Sequence, residues 1–334
     1  MTNSQRIEFF DLSKGICILL VVAGHCGCPI DIPGYEIVRM PLYFILSGMF
    51  FKDYGGFQNL LIKKTNKILV PFVFFYLLGC VFYYAIKWVV PGMLVTAAGG
   101  ILDIFNNRQF FNGPIWFLLC LFWCNLLFCI IHQLFRSDIF RIICVVVCGV
   151  LGWYMGYCDV FIPMFMDVAF TALPFFAFGY YLRISNLLST NRSDKYNLIF
   201  AFALWGISFL LFQTTAHRLS LHYNKIEGWS TYIIAVVSVL SILYICKSIK
   251  RLPYISYVGR YSIVLLCVHH LINRPLTVLL SKIWASNSYL PEIVALCTIL
   301  LSTLCIPLLK RYLPWTIAQK DLINNGSQHP QSSI

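Results

Sequence analysis

Residues 114–132 read PIWFLLCLFWCNLLFCIIH, an apolar run interrupted by Asn125 and closed by His132. As a helix it would rise about 28 Å at 1.5 Å per residue, close to the roughly 30 Å of a bilayer's hydrocarbon core. Nine more stretches share this character. They lie near 12–28, 37–51, 68–88, 140–157, 163–182, 197–213, 230–246, 261–281 and 290–309. The second is short and contains Gly48, which suggests a tilted or broken helix. Composition agrees with the pattern: 59% of the 334 residues are apolar and the mean hydropathy is +0.77. Charged residues make up 11%, against about 25% in an ordinary globular domain, too few to cover a soluble surface. The 28 Phe, 19 Tyr and 8 Trp exclude a solvated, disordered chain. The fold class expected is an all-α polytopic membrane protein with about ten transmembrane helices.

The net charge of +12 raises the question of partners. With the N-terminus placed in the cytoplasm, eighteen of the 25 Lys and Arg fall in inner segments and four in outer loops. Arg39, Lys87 and Arg274 lie within or at the ends of spans. This asymmetry obeys the positive-inside bias and places both termini in the cytoplasm. The cations are spread over six short segments, so nucleic acid is not an expected partner. The first span has mixed charges at its start and no small-residue cleavage site after it, which favours an uncleaved helix over a signal peptide. Residues 1–317 read as one membrane domain, and the polar stretch 318–334 as a disordered tail.

The fourteen cysteines fall mostly inside spans, where a thiol behaves as a small apolar group. Cys26-x-Cys28 beside His25 lacks a second ligand pair, so no metal is assigned.

Ionisable groups inside apolar spans are costly and therefore candidates for function. His25 lies well into the first span. Lys14 precedes it by 11 residues, within about 20° of whole helical turns and about 16 Å away along the axis. Asp11 projects about 40° from His25 on the same helix. One face thus carries an acid and a cation near one membrane surface and an imidazole towards the other. Such a face could bind an anionic group at the inner end and handle protons deeper. The plainer account has Lys14 snorkelling and His25 bonded to a neighbouring helix.

Arg6-Ile7-x-x-x-Asp11-Leu12-x-Lys14-Gly15-Ile16, followed by the apolar run to Gly24-His25, resembles the opening of the acyltransferase 3 family of integral membrane acyltransferases. The family's Arg-x10-His signature has Lys14 in place of its Arg. The segment from Pro41 to Phe50, containing Ser47-Gly48, is similar to the family's second span. Lys63-Lys64 and Lys67 to Pro71 resemble its basic stretch before the third. Gly113-Pro114-Ile115-Trp116-Phe117-Leu118, Leu173 to Gly179 and Ser262 to His269 are similar to later motifs. The resemblance covers roughly residues 6–315. Arg39 stands before Met40-Pro41 where many relatives have His, a second departure.

The resemblance implies transfer of an acyl group, commonly acetyl, from a cytoplasmic acyl-CoA such as acetyl-CoA to a hydroxyl of an envelope carbohydrate. The partners it implies are acyl-CoA, an envelope glycan or lipid-linked sugar, and membrane lipids, in the plasma (inner) membrane. A sugar hydroxyl needs a base titrating near working pH, which suits His25, either as general base or as a transient acyl carrier. Lys14, then Lys63, Lys64 and Lys67, would hold the polyanionic donor, although ordinary topology explains the last three equally well. Arg39, at about the depth of His25, and Arg274 could stabilise an oxyanion or contact an acidic sugar; either could instead snorkel. His269 and His270 project about 100° apart, so one cavity would not take both; His269 fits the family position. Trp116 is a candidate for the sugar site, and Asp167 for an orienting carboxylate. His132, His217, His222 and His329 receive no role.

A proton-coupled secondary transporter of a small polar solute is the alternative, since buried His, Arg and Lys would serve it too. The inverted repeats that would favour it are not evident in the sequence.

Overall fold

The computed structural model describes residues 8–30, 35–89, 100–106, 108–189, 193–214, 219–284 and 288–323. Arg6, Gly99, Asn107, Arg192, His217, Arg218 and His329 lie outside the described residues. The chain forms α1 (Glu8–His25), α2 (Tyr35–Met49), α3 (Phe57–Lys64) and α4 (Val70–Val89), with a π-helical turn Thr65–Leu69 joining the last two. It continues through α5 (Asp103–Asn106), α6 (Trp116–Leu134), α7 (Asp138–Tyr157), α8 (Met166–Ile184) and α9 (Asp194–Thr214). A two-stranded ribbon, β1 (Leu219–Ser220) and β2 (Lys225–Ile226), follows. The remainder is α10 (Ser230–Ile249), α11 (Pro253–Arg260), α12 (Ser262–Trp284) and α13 (Leu290–Tyr312).

Each of the ten expected spans coincides with a helix, but among the described residues eight are long and apolar enough to cross a membrane. The expected count of about ten is corrected to those eight. The first two fall short for physical reasons: α1 carries Glu8, Asp11 and Lys14 within 18 residues, and α2 has 15 residues. Both are enclosed by other helices. Helix α1 packs against α2, α10, α11, α12 and α13, and α2 against α8 and α10. Helix α2 runs unbroken through Pro41 and Gly48.

Apolar patterning sets the layers. Helices α6 and α8 are mostly buried, whereas α7, α9 and α13 expose most of their surface. That surface bears Val146, Leu151, Phe202, Leu210, Leu296 and Leu304, side chains suited to lipid. Small residues set the two closest crossings. A Cβ on Gly48 would strike the Phe176 carbonyl, and one on Gly179 the Ile45 carbonyl, so α2 and α8 meet backbone to backbone. Gly15 and Gly259 do the same for α1 and α11, against Ile255 and Asp11.

Ion pairs gather where α1 starts, here termed the near face. Glu8 lies 3.2 Å from Arg251 and 3.4 Å from Arg260, and Lys250 lies 2.6 Å from Asp194. The segment after α13 folds back onto this face. Asp321 sits 2.9 Å from both Lys63 and Lys67, and Asn66 Oδ1 accepts from the backbone N–H groups of Leu322 and Ile323. The first six residues of the polar stretch 318–334 are therefore held against α3 and the π turn.

Candidate active site

At the opposite, far face, α1 ends at His25. The backbone carbonyl of His25 accepts from Asn273 Nδ2 at 3.2 Å, which fixes the end of α1 at the middle of α12. The imidazole opens into a cavity of about 270 Å³. His25, Trp116, His222, Tyr223, His270 and Arg274 line it, with Gln109, Phe110, Gly113 and Pro114. His25 is exposed by area, yet protein surrounds it, because its open surface faces this cavity.

Two histidines of α12 approach His25. The His269 ring lies 5.3 Å from it and the His270 ring 5.5 Å, centroid to centroid. Of the pair, His270 lines the cavity and His269 does not, although both rings lie close to His25. His269 is fully buried, and its Nδ1–H donates to the Leu265 carbonyl at 2.6 Å. Its Nε2 is buried without a partner among the described residues. His270 lines the cavity itself. Arg274 Nε donates to His270 Nε2 at 3.1 Å, an i,i+4 contact along α12, and the guanidinium lies 5.2 Å from the Phe111 ring centre.

The far wall comes from loops. His222, in the 3₁₀ turn Leu221–Tyr223, stacks on Trp116 at 5.5 Å and on Phe165 at 5.6 Å, and those two rings lie 5.6 Å from each other. Its Nε2–H donates to the Arg108 carbonyl at 2.6 Å. Arg108 in turn pairs with the fully buried Asp167 at 2.6 Å. Asp167 thus holds Arg108 and, through it, His222. Burial pushes the His222 pKa down to about 4 from 6.5, with the bond to the Arg108 carbonyl opposing, so this imidazole is neutral at pH 7. Gln109 Nε2 donates to the Tyr223 hydroxyl at 2.8 Å, joining the two loops across the cavity mouth.

A family model described as an acyltransferase domain matches residues 7–312. The chain belongs to the acyltransferase 3 family. No curated protein and no solved structure matches it. Family membership and eight membrane-length helices make this acyltransferase a multi-pass protein of the plasma membrane.

The expected site residues of the acyltransferase divide into two groups. His25, Trp116 and Arg274 line the cavity, and His269 is buried behind it with its ring 5.3 Å from that of His25. Lys14 lies down α1, its ammonium 5.4 Å from the Phe50 ring centre and its carbonyl accepting from the Tyr43 hydroxyl at 2.9 Å. Asp11 is buried at the near end, 3.6 Å from Arg260 and about 21 Å along the helix from His25. Arg39 stands lower than expected. Its carbonyl accepts from Cys17 Sγ at 3.0 Å, which puts its backbone about 12 Å below His25. Lys63, half-buried Lys64 and Lys67 lie on the near face, the first and last sharing Asp321. His222, His270, Gln109 and Tyr223 were not anticipated. The i,i+4 spacing of His270 and Arg274 was a readable signal; the loop residues offered none.

Proposed function

We propose that the acyltransferase takes an acyl group, acetyl in the simplest case, from a cytoplasmic acyl-CoA and passes it to a hydroxyl of an envelope carbohydrate held in the far-face cavity. The observation that carries this reading is the placement of His25 at the end of α1, open to that cavity and flanked by His269, His270 and Arg274. In this reading the near face is cytoplasmic and both termini lie on that side, as the positive-inside bias requires.

The polyanionic donor meets Lys14 and the cluster Lys63, Lys64 and Lys67 at the near face. Asp321 offsets part of that cluster, which keeps a net positive charge. Lys14, Arg39 and His25 then mark rising levels between α1 and α2, along which the thioester reaches the imidazole. His25 accepts the proton of the sugar hydroxyl as its oxygen attacks the thioester carbonyl carbon. The carbonyl π bond opens to an oxyanion, for which Arg39 supplies positive charge. Collapse re-forms the carbonyl and breaks the C–S bond, and the departing thiolate takes the proton from the His25 imidazolium. Trp116 and Tyr223 present aromatic surface to the sugar.

The test is a transfer assay on purified protein with isotopically labelled acetyl-CoA and extracted envelope glycans, read by mass spectrometry. Label covalently attached to a glycan supports the reading. Binding of no acyl-CoA together with movement of a solute across vesicles would overturn it.

A further inference from the structure

The cavity has a one-sided charge. Among the described residues, His25, His222, His270 and Arg274 line it and no carboxylate does. Arg274 is the thirteenth of the 23 residues of α12, near the middle of a membrane-length helix. An arginine at that depth is normally paired with an acid or faces a polar cavity. Arg274 does the latter. Its Nε is used by His270 and its plane rests on Phe111, and among the described residues no carboxylate pairs with it. The four Nη–H donors are left for whatever enters the cavity, in the fork arrangement that matches a planar carboxylate or a phosphate. Leaving such a charge uncompensated in a low-dielectric interior is costly, so the complex with an anion is favoured over the empty site.

Size adds a second restriction. At about 270 Å³ the cavity falls just below the 300–1,000 Å³ of pockets that hold drug-sized ligands. That volume accommodates one sugar ring, with any further residues of a glycan outside it. The aromatic surface of Trp116 and Tyr223 suits the ring, and Gln109 offers an amide to a hydroxyl.

We infer that the cavity selects a single acidic sugar residue, whose carboxylate or phosphate is held by the terminal nitrogens of Arg274 beside His25. Calling that sugar the acyl acceptor rests on the proposed function; its binding does not. The test therefore measures binding without donor, by tryptophan fluorescence of the full-length protein in detergent. The probes are glucuronate, galacturonate and N-acetylneuraminate, each against its methyl ester, and glucose 6-phosphate against glucose. At least one acid should bind about tenfold or more tightly than its neutral partner, the scale of a charged hydrogen bond. The carboxylate and phosphate arms identify the anion. Arg274→Gln should abolish the preference, while Arg274→Lys, which keeps the charge without the fork, should retain part of it. Equal binding of every acid and its neutral partner would overturn the inference. So would an Arg274→Gln protein, with unchanged thermal stability, that still prefers the acid. If the acids bind but no acyl group is transferred, the proposed function fails and the acidic-sugar site stands.

Discussion

Arg274 Nε donates to His270 Nε2 at 3.1 Å, and because a guanidinium can only donate, that imidazole nitrogen must be an unprotonated acceptor. The neutral His270 therefore carries its proton on Nδ1, which is buried without a partner among the described residues. Taking up a second proton at Nε2 would break the contact with Arg274. His270 is thus a positioning residue for the guanidinium, and the proposed reaction assigns the proton transfer to His25.

His270→Ala should raise the KM for the acceptor about tenfold while kcat changes far less, because it frees Arg274 to turn away without removing the base. His270→Gln can supply an accepting Oε1 to Arg274 and should recover most of the loss. Steady-state kinetics on the purified variants separates the two parameters.

His222 gives the far wall a pH dependence. Its folded pKa of about 4 lies below the unfolded 6.5, so the folded chain binds this proton more weakly. The stabilisation is fully present above pH 6.5 and is lost as pH falls through the window down to about 4. The difference in thermal midpoint between wild type and His222→Gln should therefore shift between pH 7 and 4, with wild type losing more. Parallel curves for the two proteins would count against it.

Asp321 bridges Lys63 and Lys67, and the lysines hold its carboxyl below the usual carboxylate range. Asp321→Asn makes the near-face cluster more positive. The KM for acetyl-CoA should fall a few-fold at low ionic strength and converge with wild type at high salt. A KM unaffected at any ionic strength would separate this cluster from the donor.

Gly48→Val places side-chain atoms against the Phe176 carbonyl at the α2–α8 crossing. Overpacking of this kind costs about 1–3 kcal/mol, so the thermal midpoint in detergent should drop clearly. Gly206, on the exposed side of α9 with open space around its Cβ position, is the control: Gly206→Ala should leave stability nearly unchanged or raised.

Much of this arrangement is legible in the sequence where a single helix decides it. His25 and Lys14 stand out because charge is rare in apolar runs, and their 11-residue spacing fixes their common face. What failed depends on how separate elements meet. Counting along an isolated span puts Arg39 at the depth of His25, but α2 crosses α1 so that Arg39 stands beside Cys17. His222 sits in a loop whose position is set by the Arg108–Asp167 pair, 59 residues apart in sequence. The contact between Asp321 and Lys63 spans 258 residues, and nothing local marks it. The two weakest spans, α1 and α2, are packed among other helices, which is why they tolerate charge and shortness.

In the proposed reaction His25 moves the acceptor's proton. Acyl transfer by purified His25→Ala, measured with saturating acetyl-CoA and acceptor, should fall by about 10²–10⁴-fold with the fold intact, the usual contribution of a positioned base. Full transfer activity in that variant would contradict the account.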